Sequence, residues 1–173
     1  MFDEDGNYYI GQFKDNVKHG KGISYDKNGN VKYEGEFING EIEGYGKFIF
    51  IDDFYYIGHF KNNLFHGKRQ LYDKNGNIIY EGDFNNGKKE GNGKSMDKNG
   101  YYYIGKFKDN LPNGKGITYY KNGNIMYDGD CINGKRDGDG KFIDKYGNYY
   151  IGQFKDNEFN GKGIFYNKRY YKR

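Results

Sequence analysis

A chain of 173 residues with 21 tyrosines, 14 phenylalanines and 29 glycines is too aromatic for a disordered polymer. At a mean hydropathy of −1.13 it is also too polar for a globule built on a central aliphatic core. Its charge of +4 comes from lysines and acids that alternate along the chain, as on a solvated mixed-charge surface.

No apolar run approaches the ~20 residues that span a bilayer. The opening Met1-Phe2-Asp3-Glu4-Asp5 lacks the basic and apolar regions of a signal peptide. Cys131 is the single cysteine, so no disulfide framework is available and a reducing compartment is the natural setting.

Residues 1–8 read as the tail of a repeat, since Asp3 to Tyr8 aligns with Asp144 to Tyr149. From Tyr9 the skeleton Tyr-x-Gly-x-Phe, a polar loop and Gly-x-Gly begins. It returns from Tyr33, Tyr56, Tyr80, Tyr103, Tyr127 and Tyr150, giving seven copies and ending in a basic tail over 167–173. Self-similarity at such a period is the mark of a repeat array, here a single domain over 1–173. The opening tyrosines are spaced alternately 24 and 23 residues, so 9, 56, 103 and 150 stand 47 apart. Odd copies open Tyr-Ile-Gly and even copies open Tyr-acid-Gly, as expected of a duplicated two-copy block.

Within each copy, alternation of aromatic and polar residues bounded by Gly and Asn predicts a β-hairpin. Between copies, Asn28-Gly29, Asn75-Gly76, Asn99-Gly100 and Asn122-Gly123 predict type I′ turns. Inside the hairpins Gly40, Gly87 and Gly134 alternate with Asn16, Asn63, Asn110 and Asn157, the residues that enter the left-handed region most cheaply. The fold class expected is all-β: an elongated, twisted, single-layered antiparallel sheet of consecutive hairpins, bearing a groove.

The register follows from comparing copies. Thirteen residues after each Ile of the odd copies stands Ile23, Ile117 or Ile164, with Gln70 the exception. After each acid of the even copies stands Lys47, Lys94 or Lys141. Apolar facing apolar and acid facing lysine is the pattern of cross-strand neighbours. It sets Gly11 opposite Gly22, beside Tyr9 and Phe13, and leaves room for rings over the backbone.

These residues resemble the MORN repeat (membrane occupation and recognition nexus), whose pattern is close to Y-E-G-x-F-x-N-G-x-x-x-G-x-G. Tyr33-Glu34-Gly35-Glu36-Phe37-Ile38-Asn39-Gly40, with Gly44 and Gly46, matches it nearly letter for letter. Two departures stand out: Arg69 replaces the last Gly of the third copy, and Cys131 stands where other copies carry Phe. The resemblance implies a groove-bearing sheet used for protein docking, homodimerisation and contact with acidic lipid. Proteins built this way include cytoskeletal scaffolds of protozoa, and any catalysis belongs to other domains.

No catalytic constellation, metal site or cofactor motif is read. The acids Glu34, Glu81 and Asp128 recur with lysine partners, as structural pairs do. His59 and His66 share a hairpin without a third ligand. His19 and His66 take the polar position filled elsewhere by Glu43, Glu90 and Asn113. The Gly-x-Gly pairs are followed by no helix, so they form no phosphate loop. Rings interleaved with lysine suggest no nucleic acid either, because the fold itself needs the rings and acids are nearly as common as bases.

Two functions remain. The first is a scaffold holding an extended or helical partner segment along an exposed aromatic strip of Tyr33, Phe37, Tyr56, Phe60, Tyr80, Phe84, Tyr103, Phe107 and Tyr127. It pairs as a homodimer through Phe154, Phe159, Ile164 and Phe165. The second is a peripheral adaptor that meets anionic phospholipid through Lys168, Arg169, Lys172 and Arg173. Both place the chain in the cytoplasm, on the cytoskeleton or at the cytoplasmic face of a membrane.

Overall fold

The computed structural model describes residues 3–50 and 52–168, and every regular element longer than one residue is a strand. Two compact units divide the chain at Lys88/Lys89. The first carries β1 (Tyr8–Lys14), β2 (Val17–Tyr25), β3 (Val31–Ile38), β4 (Glu41–Ile49), β5 (Tyr55–Lys61), β6 (Leu64–Tyr72) and β7 (Ile78–Asn85). The second carries all but the first residue of β8 (Lys88–Met96), then β9 (Tyr102–Lys108), β10 (Leu111–Tyr119), β11 (Ile125–Ile132), β12 (Lys135–Ile143), β13 (Tyr149–Lys155) and β14 (Glu158–Tyr166). Strand order follows chain order, and every described neighbouring pair is antiparallel. The all-β meander expected from the sequence is what forms.

The expected register holds. Gly11 pairs with Gly22, Gly35 with Gly46 and Gly105 with Gly116, while Ile10 faces Ile23, Glu34 faces Lys47 and Asp128 faces Lys141. The glycine pairs have a steric cause. A Cβ on Gly22 would stand 2.3 Å from Cε2 of Tyr9, and one on Gly46 would stand 2.5 Å from Cε2 of Tyr33. Tyr9, Tyr33, Tyr103, Tyr127 and Tyr150 therefore lie flat over the glycine pairs of their own hairpins.

The tyrosine hydroxyl completes the motif. After each glycine pair the ladder slips, as between Gly11 and Phe13, which is the signature of a β-bulge. The phenol donates to the carbonyl three residues on: Tyr9 to Gln12 at 3.0 Å, Tyr56 to His59 at 3.0 Å and Tyr127 to Asp130 at 2.7 Å. A polar tip thus finds its partner beneath a buried ring. Phenylalanines pack edge-on against both flanking tyrosines. Phe37 lies 5.1 Å from Tyr33 and 4.9 Å from Tyr9, and Phe60 lies 5.2 Å from Tyr56 and 5.1 Å from Tyr33. Each such pair adds ~0.5–1.5 kcal/mol beyond the area it buries.

The turns differ from expectation in an instructive way. The Asn-Gly turns between copies are not type I′, because Asn28 keeps a negative φ and only Gly29 is left-handed, at 88°. Gly29 N–H donates to Asp26 O, and Asp26 N–H donates to Asn30 O. This is a three-residue loop with a type I turn closed by a left-handed residue. Asp26 pins it, its Oδ1 accepting from the Asn28 and Asn30 amides. The two-residue turns with positive φ at both centres lie inside the hairpins, as at Asp15-Asn16 and Asn39-Gly40. The asparagines there do more than tolerate that backbone: Asn63 Oδ1 accepts from Ile42 N–H at 2.7 Å, tying its turn to the preceding copy.

The alternation of 24 and 23 also has a structural cause. From odd to even copies the ladder takes an extra residue, with Ser24 facing Tyr33 but Tyr25 facing Val31, so that Lys32 bulges. Ile79 and Met126 bulge in the same way. From even to odd copies, as between β4 and β5, pairing is regular.

Arg69 alters its hairpin locally, as its sequence position suggests. The ladder there runs from Ile57/Gln70 to His59/His66 without a glycine pair between them. The guanidinium of Arg69 rests 5.8 Å from the ring of Tyr45.

Two outcomes are expected. Gly46→Ala should destabilise by roughly 1–3 kcal/mol, the usual cost of overpacking, and Asn63→Gly by about 1 kcal/mol for one lost hydrogen bond; urea unfolding measures both. Burial pushes the phenols of Tyr33, Tyr56 and Tyr103 up to about 12, so the neutral form is favoured in the fold. That contribution is complete below the ordinary phenol value of about 10 and vanishes as pH climbs through the folded value. Phenolate absorbance should therefore rise in two waves, the later one coinciding with loss of the β-sheet circular dichroism signal.

Candidate functional site

The nine rings expected to form an open strip are buried. Tyr33, Tyr56 and Tyr80 are 0% exposed, and Phe37, Phe60, Phe84, Tyr103, Phe107 and Tyr127 are all classed with the core. A single layer can bury its own rings because tyrosines such as Tyr9 and Tyr33 are covered below by glycine backbone and at their edges by phenylalanines. What the sequence reading missed is a further row on this face, nine residues after each skeleton tyrosine: Lys18, Ile42, Phe65, Lys89, Pro112, Arg136 and Phe159. Lys18, Phe65, Arg136 and Phe159 close over rings of their own unit. Phe65 lies 4.3 Å from Tyr56, Lys18 Nζ stands 5.4 Å from Tyr9, and the guanidinium of Arg136 is 5.5 Å from Phe154. Their constant offset was a usable signal, hidden by their chemical variety.

The opposite face is the open one. Its central row runs Ile10, Ile23, Glu34, Lys47, Ile57 and Gln70 across β1 to β6. In the first unit this row borders a groove of about 610 Å³, whose floor is the bare backbone of Gly11, Gly22, Gly35 and Gly46. The glycines that receive tyrosine rings on one side leave a smooth channel on the other. Ile10 and Tyr45 rise from its walls, and the pairs Glu34/Lys47 and Lys21/Glu36 add charges of both signs. Lys47 also bends toward Tyr55, its Nζ 4.3 Å from the ring centre. In the second unit, the face opposite its own rings bears Ile104, Ile117, Asp128, Lys141, Ile151 and Ile164 in one row.

The residues assigned to dimerisation divide. Phe154 is buried between Tyr127 and Tyr150, whereas Phe159, Ile164 and Phe165 on β14 are exposed. Of the basic residues assigned to lipid, Lys168 is exposed and its N–H donates to Asn148 Oδ1 at 3.0 Å; Arg169, Lys172 and Arg173 lie outside the described residues.

His59 and His66 are cross-strand partners. Among the described residues no group of three His, Cys, Asp or Glu is placed to hold a metal. Cys131 is buried opposite Arg136, and burial pushes its thiol up to about 11, with the Asp130 carboxylate adding to the effect. A thiol so held is a filler of core space.

The profile of the MORN repeat matches residues 9–31, 33–53, 56–77, 80–100, 103–125 and 150–168. The copy that opens at Tyr127, with Cys131 in place of Phe, is not among these spans, yet it folds into the hairpin β11–β12 in the same register. Among curated proteins, a 42-residue stretch is 43% identical to "Protein TIC 100" of Arabidopsis thaliana; it makes up 24% of this chain and 5% of that protein. The chain thus spans a small fraction of that relative's length. With six matched spans covering most of its length, the chain belongs to the MORN repeat family.

Proposed function

We propose that the chain is a non-enzymatic interaction module, and that an extended segment of a protein partner lies in the glycine-floored groove of residues 1–88. One observation carries this reading: the open face of that unit combines a channel of about 610 Å³ with isoleucine walls and charges of both signs. Exposed apolar surface gathered in a channel marks a binding site. Backbone glycines let a partner main chain approach closely, while Glu34 and Lys47 can fix its direction through complementary charge. Family membership supports an interaction or membrane-associated role. A second copy completes the assembly through β14, whose edge carries Phe159, Ile164 and Phe165 in solvent. The alternative is a peripheral adaptor that uses Lys168 and the basic residues after it against anionic lipid.

Partners captured from the native cell provide the test. Ile23→Lys places a charge in the groove beside Glu34 and should weaken capture about tenfold, a loss of ~1.4 kcal/mol. Ser24→Glu, on the ring face, should leave capture unchanged. The opposite ranking would move the site to the ring face. Sedimentation with anionic vesicles that fades steeply as salt rises would favour the lipid reading. For the pairing, Ile164→Glu with Phe165→Glu should give a monomeric mass at concentrations where the native chain is dimeric.

A further inference from the structure

Each odd copy carries a pair of tyrosines face to face on the open side of the sheet: Tyr8–Tyr25, Tyr55–Tyr72, Tyr102–Tyr119 and Tyr149–Tyr166. Their ring centres are 4.6, 4.8, 4.6 and 4.8 Å apart, with planes 9°, 9°, 10° and 16° from parallel. All four are direct cross-strand partners, and all eight rings are half-buried. The hairpin does not require them. At the corresponding positions the even copies have Lys32, Ile79 or Met126 and Ile49, Met96 or Ile143, yet β3–β4 and β11–β12 form in the same register.

We propose that these four stacked pairs are modification sites, where a peroxide acting through a haem peroxidase couples the two rings to dityrosine and staples the strands of each odd hairpin. Each phenol gives up one electron and its hydroxyl proton to become a tyrosyl radical. The two radicals join through ring carbons ortho to oxygen, forming one C–C bond. Each of those carbons then loses its hydrogen as a proton while a phenol oxygen regains one, so both phenols are restored. Two electrons and two protons leave in total, and they reduce one peroxide to two waters.

The geometry favours these pairs over the other tyrosines. Coupling within a chain needs two phenols held together, and parallel stacking brings ortho carbons face to face. The skeleton tyrosines have phenylalanines as ring neighbours, such as Tyr9 against Phe13 and Phe37, and a phenylalanine cannot take part. Those phenols are also buried and donate to carbonyls, as Tyr9 does to Gln12. Three of the stacks are held from above by lysine, with Nζ of Lys47, Lys94 and Lys141 at 4.3, 4.6 and 4.7 Å from Tyr55, Tyr102 and Tyr149. Tyr101 and Tyr120 are near neighbours but tilted by 55° at 5.9 Å, which provides an internal comparison.

The test treats the dilute, folded chain with hydrogen peroxide and a haem peroxidase, then maps cross-linked peptides by mass spectrometry. The expected result is dityrosine fluorescence in a product that keeps the mass of one chain less two hydrogens per link. The links should join 8 to 25, 55 to 72, 102 to 119 and 149 to 166. A variant carrying Tyr25→Phe, Tyr72→Phe, Tyr119→Phe and Tyr166→Phe should lose most of the fluorescence, and Tyr146→Phe should lose none. Should the fourfold variant fail to fold, the native chain unfolded in urea serves instead, and its links should scatter. Links confined to pairs of different chains, links centred on Tyr146 or Tyr101–Tyr120, or an absence of dityrosine would overturn the proposal.

Discussion

The structure depends on one contact, a tyrosine ring laid flat on two facing glycines. It resolves a difficulty that a single-layered sheet cannot otherwise escape, since such a sheet has no second layer to bury its apolar face. Here the ring uses its own backbone as the covering surface. The bulge beside the glycines frees a carbonyl, and the ring's hydroxyl takes it as acceptor, as Tyr33 does with Glu36 at 3.2 Å. Phenylalanines then bridge successive rings edge to face within each unit. Aromatic content at this level is thus a structural requirement, and polar residues can fill nearly all the remaining positions.

The same contact separates the duties of the two faces. The ring side is interior, with Lys18 and Arg136 laid over it as caps rather than offered to solvent anions. The reverse side of the glycine pairs is bare backbone, so the row of isoleucines and charged pairs is left open to solvent. A repeat that needs its rings for folding keeps the tyrosines of the ring side fixed and has its reverse side free to diversify. That is where the odd and even copies differ most, in Ile10 against Glu34 and in the tyrosine stacks against Lys32 and Ile49.

Much of this was legible in the sequence. Hairpins, register and glycine pairing follow from comparing copies, because a cross-strand pair must vary together, as Ile10 with Ile23 and Glu34 with Lys47 do. The type I′ turn was assigned to the wrong loop because Asn-Gly serves both turn types. The Asp26 carboxylate, two residues before Asn28, is what favours the three-residue loop. The ring strip looked exposed because alternation shows which residues share a face without showing what covers it. Lys18, Phe65 and Arg136 escaped notice for a related reason: covering a ring can be done by a cation, an aliphatic or another ring, so no residue type marks the position. Charge pairing was only partly readable. Glu34 and Lys47 face each other as expected, while Lys47 spends its ammonium on Tyr55, a partner visible only in three dimensions.

The bulge at Lys32, Ile79 and Met126 fixes how such an array can grow or shrink. An odd copy hands the chain on with one extra residue and an even copy hands it on without. Losing one internal copy would join an odd copy to an odd one or an even copy to an even one, a junction that occurs nowhere in this array. Losing two consecutive copies leaves only junctions that already exist. The natural quantum of this array is therefore the block of 47 residues.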